Sequence, residues 1–173
     1  MATNIEIKAR VADHAALERA VATLGASGPE ILVQEDTFFA TPRGRLKLRL
    51  LAPDRGELIL YSRAQGRDPR PSDYTLAPTA DPGALLRILA ATLPMLGVVR
   101  KTRRLYLAGQ TRIHLDEVEG LGSFMELEVV LREGQTAACG AAIARDFMQR
   151  LGIARADLLD RTYFELLQER AVD

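Results

Sequence analysis

The sequence predicts an α+β fold in which an antiparallel β-sheet carries most of the chain. Segments with two-residue alternation of apolar and polar residues outnumber segments with helical periodicity, and they follow one another across short turns. No linker or internal repeat divides the chain. Because short turns join neighbouring strands, the strands run antiparallel and the helices pack against the sheet. The 173 residues are therefore predicted to form a single domain, 1–173.

The amino-terminal half is predicted to hold five strands and one helix. Asp13 is expected to cap this helix, its apolar residues recur at helical spacing from Leu17 to Leu24, and Gly25 ends it. The turn at residues 42–44 contains Pro and Gly and joins the second and third strands into a hairpin. The strands are predicted at residues 4–11, 31–40, 45–51, 57–63 and 72–77.

The carboxyl-terminal half is predicted to hold three helices and three strands. Asp81 and Pro82 start the first of these helices, and Pro94 stops it. The second is rich in Ala and ends at Gly152, and the third is amphipathic. The helices are predicted at residues 81–93, 135–151 and 157–168, and the strands at 98–107, 111–117 and 124–131.

Composition excludes several classes of protein. Lys and Arg together number 23, as do Asp and Glu, and this zero net charge argues against a nucleic-acid-binding protein, which needs many cations facing phosphates. No apolar run approaches the roughly 18 residues that cross a membrane. The first residues lack the features of a signal peptide, and the single Cys139 excludes an internal disulfide framework and a thiolate zinc cluster. We therefore expect a cytoplasmic protein that binds neither membranes nor nucleic acids.

Lysine is rare, and its placement directs attention to three strands. Lys8, Lys47 and Lys101 are the only lysines, while the other twenty basic residues are Arg. Each lysine lies in a predicted strand two positions before an Arg, and the two-residue period of a strand places both on one face. Because the net charge is zero, any anion-binding site must be local, and we expect it on these strands.

The polar faces of the predicted strands sort charge by strand. A solvated sheet face more often mixes charges with Ser and Thr, and each pair alone is compatible with such a face. The polar faces carry Glu6 and Lys8; Lys47 and Arg49; Tyr61 and Arg63; Lys101 and Arg103; Arg112, His114 and Asp116; and Glu126 and Glu128. The opposite faces are expected to form the core through Ile5, Ile7, Leu46, Leu48, Leu50, Leu58, Leu60, Leu105, Leu107, Leu115, Leu127 and Val129.

A sheet that closes into a barrel with its helices outside would turn these charged faces inward. Seven cations and four anions would then line the interior, an excess of three positive charges that repel one another. Such a cavity must hold water, and a bound polyanion would relieve the repulsion. The neighbouring Glu126 and Glu128 suggest a hard divalent cation, because Mg²⁺ combines one or two carboxylates with water and substrate phosphates. The pattern therefore predicts a metal-chelated triphosphate as the ligand.

The chain resembles the CYTH, or triphosphate tunnel metalloenzyme, superfamily over nearly its whole length. Glu6-Ile7-Lys8 is similar to the Glu-x-Glu-x-Lys opening of that superfamily, and the segments at 36–39 and 46–49 resemble its second and third strands. Within the superfamily the chain is most similar to class IV adenylyl cyclases. That similarity is carried by residues 100–103, 113–116 and 120–126 and by Tyr163, Leu166 and Leu167.

The resemblance implies a closed eight-stranded antiparallel β-barrel, a triphosphate tunnel with helices packed outside, and a homodimer. It implies phosphoryl transfer by positioning and charge neutralisation, with Mg²⁺ or Mn²⁺ as the cofactor. By position it implies catalytic roles for Asp116, Lys8 and Arg63. It implies substrate contacts for Lys8, Lys47, Arg49, Arg63, Lys101, Arg103 and Arg112, and metal ligation by Glu6, Asp116, Glu126 and Glu128.

Two positions depart from the family pattern. Asn4 replaces the first Glu of the opening motif, which keeps a ligand oxygen but loses a negative charge. Arg63 replaces the usual lysine, and an Arg cannot give up its proton at neutral pH. We therefore expect altered metal affinity and weakened or redirected activity.

Several other residues are interpreted as structural. His114 is interpreted as a hydrogen-bonded lining residue and His14 as a surface residue. Tyr163 and Phe164 are interpreted as packing residues of the last helix, and Cys139 as a small buried side chain.

Three hypotheses on function share a small-molecule triphosphate as the partner. The first is a class IV adenylyl cyclase-like enzyme that converts ATP to cyclic AMP and pyrophosphate. The second is a hydrolase of inorganic tripolyphosphate or thiamine triphosphate. The third is a protein that binds nucleotide or polyphosphate without turnover, which Asn4 and the missing lysine favour.

Overall fold

The computed structural model describes residues 2–172, so the first and last residues of the predicted domain lie outside the described part. The strands are β1 (Ala2–Arg10), β2 (Ser27–Phe39), β3 (Arg45–Ala52), β4 (Arg55–Arg63), β5 (Arg70–Thr79), β6 (Met95–Ala108), β7 (Thr111–Val118) and β8 (Gly122–Val130). The helices are α1 (His14–Ala22), α2 (Pro82–Thr92), α3 (Ala137–Leu151) and α4 (Tyr163–Val172), with a 3₁₀ turn at Arg155–Asp157.

The eight strands close into an antiparallel barrel, which confirms the predicted α+β architecture. Around the barrel the order is β1-β5-β4-β3-β2-β6-β7-β8, and β8 pairs with β1 to close it. Short turns join β2 through β5 and β6 through β8 as two runs of hairpins. Helices α1 and α2 take the place of a turn after β1 and after β5, so β2 pairs with β6 instead of β1.

The main hydrophobic core lies outside the barrel, under α1 and α3. Ile7, Leu115 and Leu127 point outward from β1, β7 and β8 and meet helix residues such as Leu17 and Phe147. Because side chains alternate along a strand, the residues between these leucines and isoleucines point into the barrel. Within residues 2–172, helices that combine enough length and apolar character to cross a membrane are absent.

The last helix begins later than predicted. After the 3₁₀ turn the chain runs extended past the end of β1, where the Leu159 N–H donates to the Lys8 carbonyl at 2.8 Å. Thr162 and Glu165 then form a reciprocal cap, in which the Glu165 N–H donates to Thr162 Oγ1 and the Thr162 N–H donates to Glu165 Oε2. The prediction of a helix from Asp157 was wrong, because this Thr-x-x-Glu signal starts the helix after the extended segment.

Two leucines predicted to lie in the core point into the barrel. Leu105 and Leu107 are an even number of positions from Lys101, so all three share one face of β6, and the ladder pairs Leu105 with His114. Leu107 is 47% exposed near one end of the barrel. On the outer face of this strand the buried residue is Tyr106, which packs in the main core.

Three further predictions on burial were wrong. Leu50 and Leu60 were expected to be covered, but they are 36% and 45% exposed because the main core lies on the other side of the barrel. Cys139 is exposed near the start of α3. His14 is half-buried, and its Nδ1 lies 2.8 Å from Glu117 Oε1, so it is not a free surface residue.

Candidate active site

The inner faces of the strands enclose a cavity of about 160 Å³, called the bore below. All the predicted site residues except Asp116 line it. They are Glu6, Lys8, Lys47, Arg49, Arg63, Lys101, Arg103, Arg112, Glu126 and Glu128. The lining holds seven cations and four anions, so the predicted excess of three positive charges is present, although Asp36 stands among the anions in place of Asp116.

The ladder between β1 and β8 explains why the acidic residues meet. Lys8 lies opposite Glu126, and Glu6 lies opposite Glu128. Residues opposite each other in an antiparallel pair have their side chains on the same face and a few ångströms apart. Lys8 Nζ accordingly lies 2.9 Å from Glu126 Oε1. This register gathers the carboxylates on one wall of the bore.

Glu6, Glu126, Glu128, His114 and Asn4 form an acidic cluster on this wall. His114 Nδ1 lies 3.7 Å from Glu126 Oε2 and 3.9 Å from Glu128 Oε1. Burial, together with repulsion from Glu126, raises the pKa of Glu6. Asn4 Oδ1 and His114 Nδ1 are buried and have no hydrogen-bond partner among residues 2–172. Carboxylate and amide oxygens with one imidazole nitrogen suit Mg²⁺ or Mn²⁺, so the residues present fit the predicted cation.

Asp116, predicted to assist the metal or the nucleophile, has both carboxylate oxygens engaged by side chains. Arg103 donates from Nε to Oδ1 at 2.7 Å and from Nη2 to Oδ2 at 2.6 Å, and the Tyr163 hydroxyl donates to Oδ2 at 2.8 Å. Burial raises the pKa of Asp116, but the ion pair with Arg103 outweighs burial and holds this pKa below its usual range. Since Arg103 also reaches Glu126 Oε2 at 2.6 Å, Asp116 orients it toward the acidic cluster.

Asp36 is a site residue that the sequence analysis did not select. Its carboxylate accepts from Lys47 Nζ at 2.8 Å, from Arg49 Nε and Nη2 at 2.7 and 2.9 Å, and from Lys101 Nζ at 3.4 Å. Burial raises the pKa of Asp36, but the three cations outweigh burial and hold it well below its usual range. Asp36 therefore gathers three of the predicted phosphate contacts on the wall formed by β2, β3 and β6.

The pKa of Lys101 is strongly lowered. Burial lowers its pKa to about 7, against the opposing effect of Asp36 and with further lowering by Arg103, Arg49 and Lys47. Its ammonium group is therefore close to losing a proton at neutral pH. A phosphate oxygen near Lys101 would favour the protonated form.

One end of the bore is closed by the segment that leads into α4. Arg63 donates from Nη2 to the Asp160 carbonyl at 2.7 Å and from Nη1 to Glu6 Oε1 at 3.4 Å. Arg70 donates to the Leu159 carbonyl at 3.4 Å, and its Nε lies 3.8 Å from the same Glu6 oxygen. Arg63, predicted as a catalytic cation, thus ties the closing segment to the acidic cluster.

Tyr163, the first residue of α4, does more than the packing predicted for it. It does pack, with its ring centroid 5.1 Å from that of Phe124. It also lines the bore, where Lys8 Nζ lies 3.4 Å and Lys101 Nζ 5.4 Å from its ring centroid. The sequence signal was present, since the Thr-x-x-Glu cap fixes which residue starts the helix.

Part of the lining contributed by β4 and β5 is apolar and aromatic. Ile59 and Leu76 face each other in this ladder, and Tyr61 and Tyr74 form the next pair on the same face. Leu76 is 39% exposed. The bore therefore sets a row of apolar side chains beside its charged walls, and an organic group attached to a phosphate chain has a surface to contact.

Comparisons with known proteins agree with this geometry. A family model described as the CYTH domain matches residues 2–163. The chain is similar to the adenylate cyclase CyaB of Aeromonas hydrophila, with 27% identity over 176 residues that cover 95% of this chain and 88% of that protein. It is also similar to the solved structure of the PH1012 protein from Pyrococcus horikoshii OT3, with a TM-score of 0.83, 27% identity, and coverage of 94% of this chain and 98% of that one.

Another solved structure shares the fold of this chain at lower identity. HpAC1 from Hippeastrum, proposed as an adenylyl cyclase, reveals a dominant triphosphatase activity. Its structure shares the fold of this chain with a TM-score of 0.63 at 19% identity, over 96% of each chain.

Proposed function

The chain belongs to the CYTH domain family, and from that premise we propose that it is a metal-dependent phosphoryl-transfer enzyme that converts ATP to cyclic AMP and pyrophosphate. The observation that carries the proposal is the bore itself, in which seven cations surround a cavity that also holds a carboxylate cluster. Such a set of groups matches a polyanion chelated to a divalent cation better than any uncharged ligand. Cytoplasmic location and a homodimer stay predictions.

The phosphate chain is proposed to lie along the cations gathered by Asp36 and by the acidic cluster. Lys47, Arg49 and Lys101 share the Asp36 carboxylate, so their positive charge is only partly cancelled. Arg103 extends from Asp116 toward Glu126 and continues the row. Catalysis of phosphoryl transfer is largely positioning and electrostatic stabilisation, which is what fixed cations of this kind supply.

The metal is proposed to bind at Glu6, Glu126 and Glu128, with Asn4 and His114 beside them. A bound Mg²⁺ or Mn²⁺ would supply Lewis-acid polarisation of a phosphoryl oxygen and neutralise charge on the phosphates. Arg63 holds the Glu6 carboxylate from the closed end, and Lys8 and Arg103 hold Glu126. The chain thus fixes its carboxylates before any ligand arrives.

In the cyclase reaction the oxygen of the ribose 3′-hydroxyl bonds to the α-phosphorus and the proton of that hydroxyl passes to water. The bond from the α-phosphorus to the bridging oxygen of pyrophosphate breaks, and pyrophosphate leaves. The cations of the bore stabilise the charge that develops on the departing pyrophosphate. The row of Ile59, Tyr74 and Leu76 supports a substrate with an organic group, because it offers apolar surface beside the phosphate-binding walls.

Hydrolysis of tripolyphosphate or thiamine triphosphate is the second candidate. In this reaction water attacks the terminal phosphorus and the bond from that phosphorus to the bridging oxygen breaks. The attacked group becomes orthophosphate, and pyrophosphate or thiamine diphosphate leaves. The specific observation in its favour is HpAC1, a protein of the same fold with a dominant triphosphatase activity. The same cations would bind either substrate, so the bore alone does not choose between the two reactions.

The deciding experiment supplies ATP, tripolyphosphate and thiamine triphosphate in turn, each with Mg²⁺ or Mn²⁺, and identifies the products. Cyclic AMP with pyrophosphate supports the cyclase, whereas orthophosphate supports the hydrolase. Stoichiometric binding without product would make the chain a binding protein, the reading that Asn4 favours. No binding of any triphosphate would overturn all three.

Glu126→Gln tests the metal site directly. The substitution keeps the shape of the side chain but removes a charge from the acidic cluster, so we expect Mn²⁺ affinity and metal-dependent turnover to fall by about tenfold or more. Glu133→Gln, a change of the same kind at an exposed loop residue, is the matched control. Electron paramagnetic resonance titration of Mn²⁺ measures affinity without turnover. Equal Mn²⁺ affinity in the two variants would remove the metal assignment.

A further inference from the structure

Tyr163 lies against three groups of the bore, which are the Asp116–Arg103 ion pair, Lys8 and Lys101. Its hydroxyl donates to Asp116 Oδ2 at 2.8 Å, and that carboxylate holds Arg103. Lys8 Nζ lies 3.4 Å from its ring centroid and Lys101 Nζ 5.4 Å from it. The residue is only 5% exposed, so bulk solvent screens these contacts weakly. One side chain of α4 therefore touches cations from both β1 and β6.

The neighbouring Phe164 serves as a comparison, because its aromatic ring packs at the same end of the barrel. Its ring stacks on Phe38 with centroids 5.1 Å apart, in the same apolar cluster as Tyr163. The described structure places no lysine or arginine group over the Phe164 ring. Phe38 and Phe124 of the same cluster each have one cation over the ring, at 5.7 and 5.2 Å from the centroid. Tyr163 differs from them because two lysines lie over its ring, one of them at 3.4 Å.

The ring can hold an ammonium group without cancelling its charge. The other partners of these lysines are carboxylates, since Lys8 lies 2.9 Å from Glu126 and Lys101 lies 3.4 Å from Asp36. A carboxylate that fixes a lysine also neutralises its field, whereas an aromatic face attracts the cation through its quadrupole and carries no net charge. An aromatic partner therefore preserves the positive potential that a phosphate needs.

We propose that Tyr163 is a positioning residue of the phosphate-binding site. Its ring fixes the ammonium groups of Lys8 and Lys101 facing the bore, and its hydroxyl completes the Asp116 partners that orient Arg103. The helix that closes the barrel thereby becomes a component of the anion site. The ligand part of this inference rests on the proposed function, since it takes a triphosphate as the anion.

The test compares Tyr163→Phe, Tyr163→Met and the matched control Phe164→Met by calorimetric titration with inorganic tripolyphosphate. Tyr163→Met removes the ring, and because a buried cation–π contact exceeds an exposed one we expect about tenfold weaker binding. Tyr163→Phe keeps the ring and removes only the hydroxyl bond to Asp116, so its affinity should stay within about threefold of the unsubstituted chain. Phe164→Met removes an equal ring from the same cluster and should leave affinity unchanged. Equal losses in the two Met variants, or a failure of Phe to rescue, would overturn the proposal.

NMR spectroscopy tests the position of the Tyr163 ring in the unsubstituted protein, so this test requires neither ligand binding nor a variant that folds. An aromatic face 3.4 Å from Lys8 Nζ shifts the neighbouring Cε protons upfield in the NMR spectrum of the unsubstituted protein. We expect the largest lysine shift, that of Lys8, in the unsubstituted chain and in Tyr163→Phe, and we expect Tyr163→Met to lose it. Unshifted lysines in the unsubstituted chain would overturn the placement. If the shift is present and no triphosphate binds, the placement is supported and the proposed function fails instead.

Discussion

At the scale of single residues, Lys101 links the charge of the bore to pH. Its pKa lies near 7, because burial and the neighbouring cations disfavour the ammonium form more than Asp36 favours it. The unfolded chain keeps an ordinary lysine pKa, so between pH 7 and about 10.4 the unfolded state binds more protons. Over that range this group makes the protein more stable as pH rises. Below pH 7 its charge is present in both states and its destabilising effect is complete.

A bound polyanion should reverse this shift and take up a proton. At pH 8 most Lys101 side chains are neutral in the free protein, and a phosphate would raise the pKa and charge them. We expect tripolyphosphate binding at pH 8 to consume nearly one proton, and affinity to fall from pH 7 to pH 9. Titration calorimetry in two buffers with different ionisation enthalpies measures the proton count.

The comparison for this prediction is Lys101→Met, which keeps the length of the side chain but cannot titrate. Subtracting the Met variant removes the protonation of the ligand itself from the measured count. A proton count that is the same in both proteins would show that another group titrates.

Asp36 is a site residue that the sequence pattern does not identify, whereas the alternation along the strands does identify lysines and arginines of the bore. Alternation identified the three lysines because each lies two positions before an Arg in its strand. Asp36 is one carboxylate in a strand whose other inward residues include Gln34 and Phe38, so the strand shows no charge pattern of its own. Its role arises from three cations on two neighbouring strands, and pairing across strands is not visible in the order of residues along one strand.

At the scale of elements, α4 controls one end of the bore through its cap. Thr162 and Glu165 exchange hydrogen bonds, and Glu165 Oε1 also accepts from Arg45 Nη2 at 2.6 Å. The cap therefore starts the helix and ties it to β3. Loss of the cap would free the turn that carries Tyr163.

Thr162→Ala should lower both stability and affinity. Removing a Ser or Thr cap lowers the free energy of unfolding by about 1 kcal/mol, and the loosened turn should weaken tripolyphosphate binding. Denaturant unfolding measures the first effect, and titration calorimetry the second. Thr136→Ala is the matched control, because Thr136 caps α3 by accepting from the Cys139 N–H on the outside of the barrel. If the two variants lose equal affinity, the effect is one of stability alone.

The sequence predicts a strand or helix well where its local signals agree. It predicts one less well where a contact with a distant part of the chain determines its bounds or orientation. All eight strands and the Asp13 and Asp81 caps follow from alternation and capping residues, and the structure has them. The prediction that Leu105 faces the core was wrong because it followed the apolar character of the side chain. Leu105 lies four positions after Lys101, and this even spacing places it on the inner face of β6. The extended segment before α4 depends on its hydrogen bond to β1, which no local pattern encodes.

At the scale of the whole molecule, the charge is balanced overall but not within the barrel. The chain has zero net charge, while the residues that line the bore carry three more positive charges than negative ones. The balancing carboxylates lie mostly on the outside, where water screens them. The folded state therefore stores repulsion inside the barrel, and a ligand that neutralises it should stabilise the fold.

Tripolyphosphate should raise the melting temperature far more than an equal ionic strength of sodium chloride. A ligand at about 100 times its dissociation constant adds about 2.7 kcal/mol to the free energy of unfolding. For a domain of this size that corresponds to a rise of about 5–10 °C. Differential scanning fluorimetry measures the shift, and Lys47→Met, which removes one cation from the bore, should reduce it. If sodium chloride produces the same rise, general screening accounts for the effect, and the fold stores no repulsion specific to the bore.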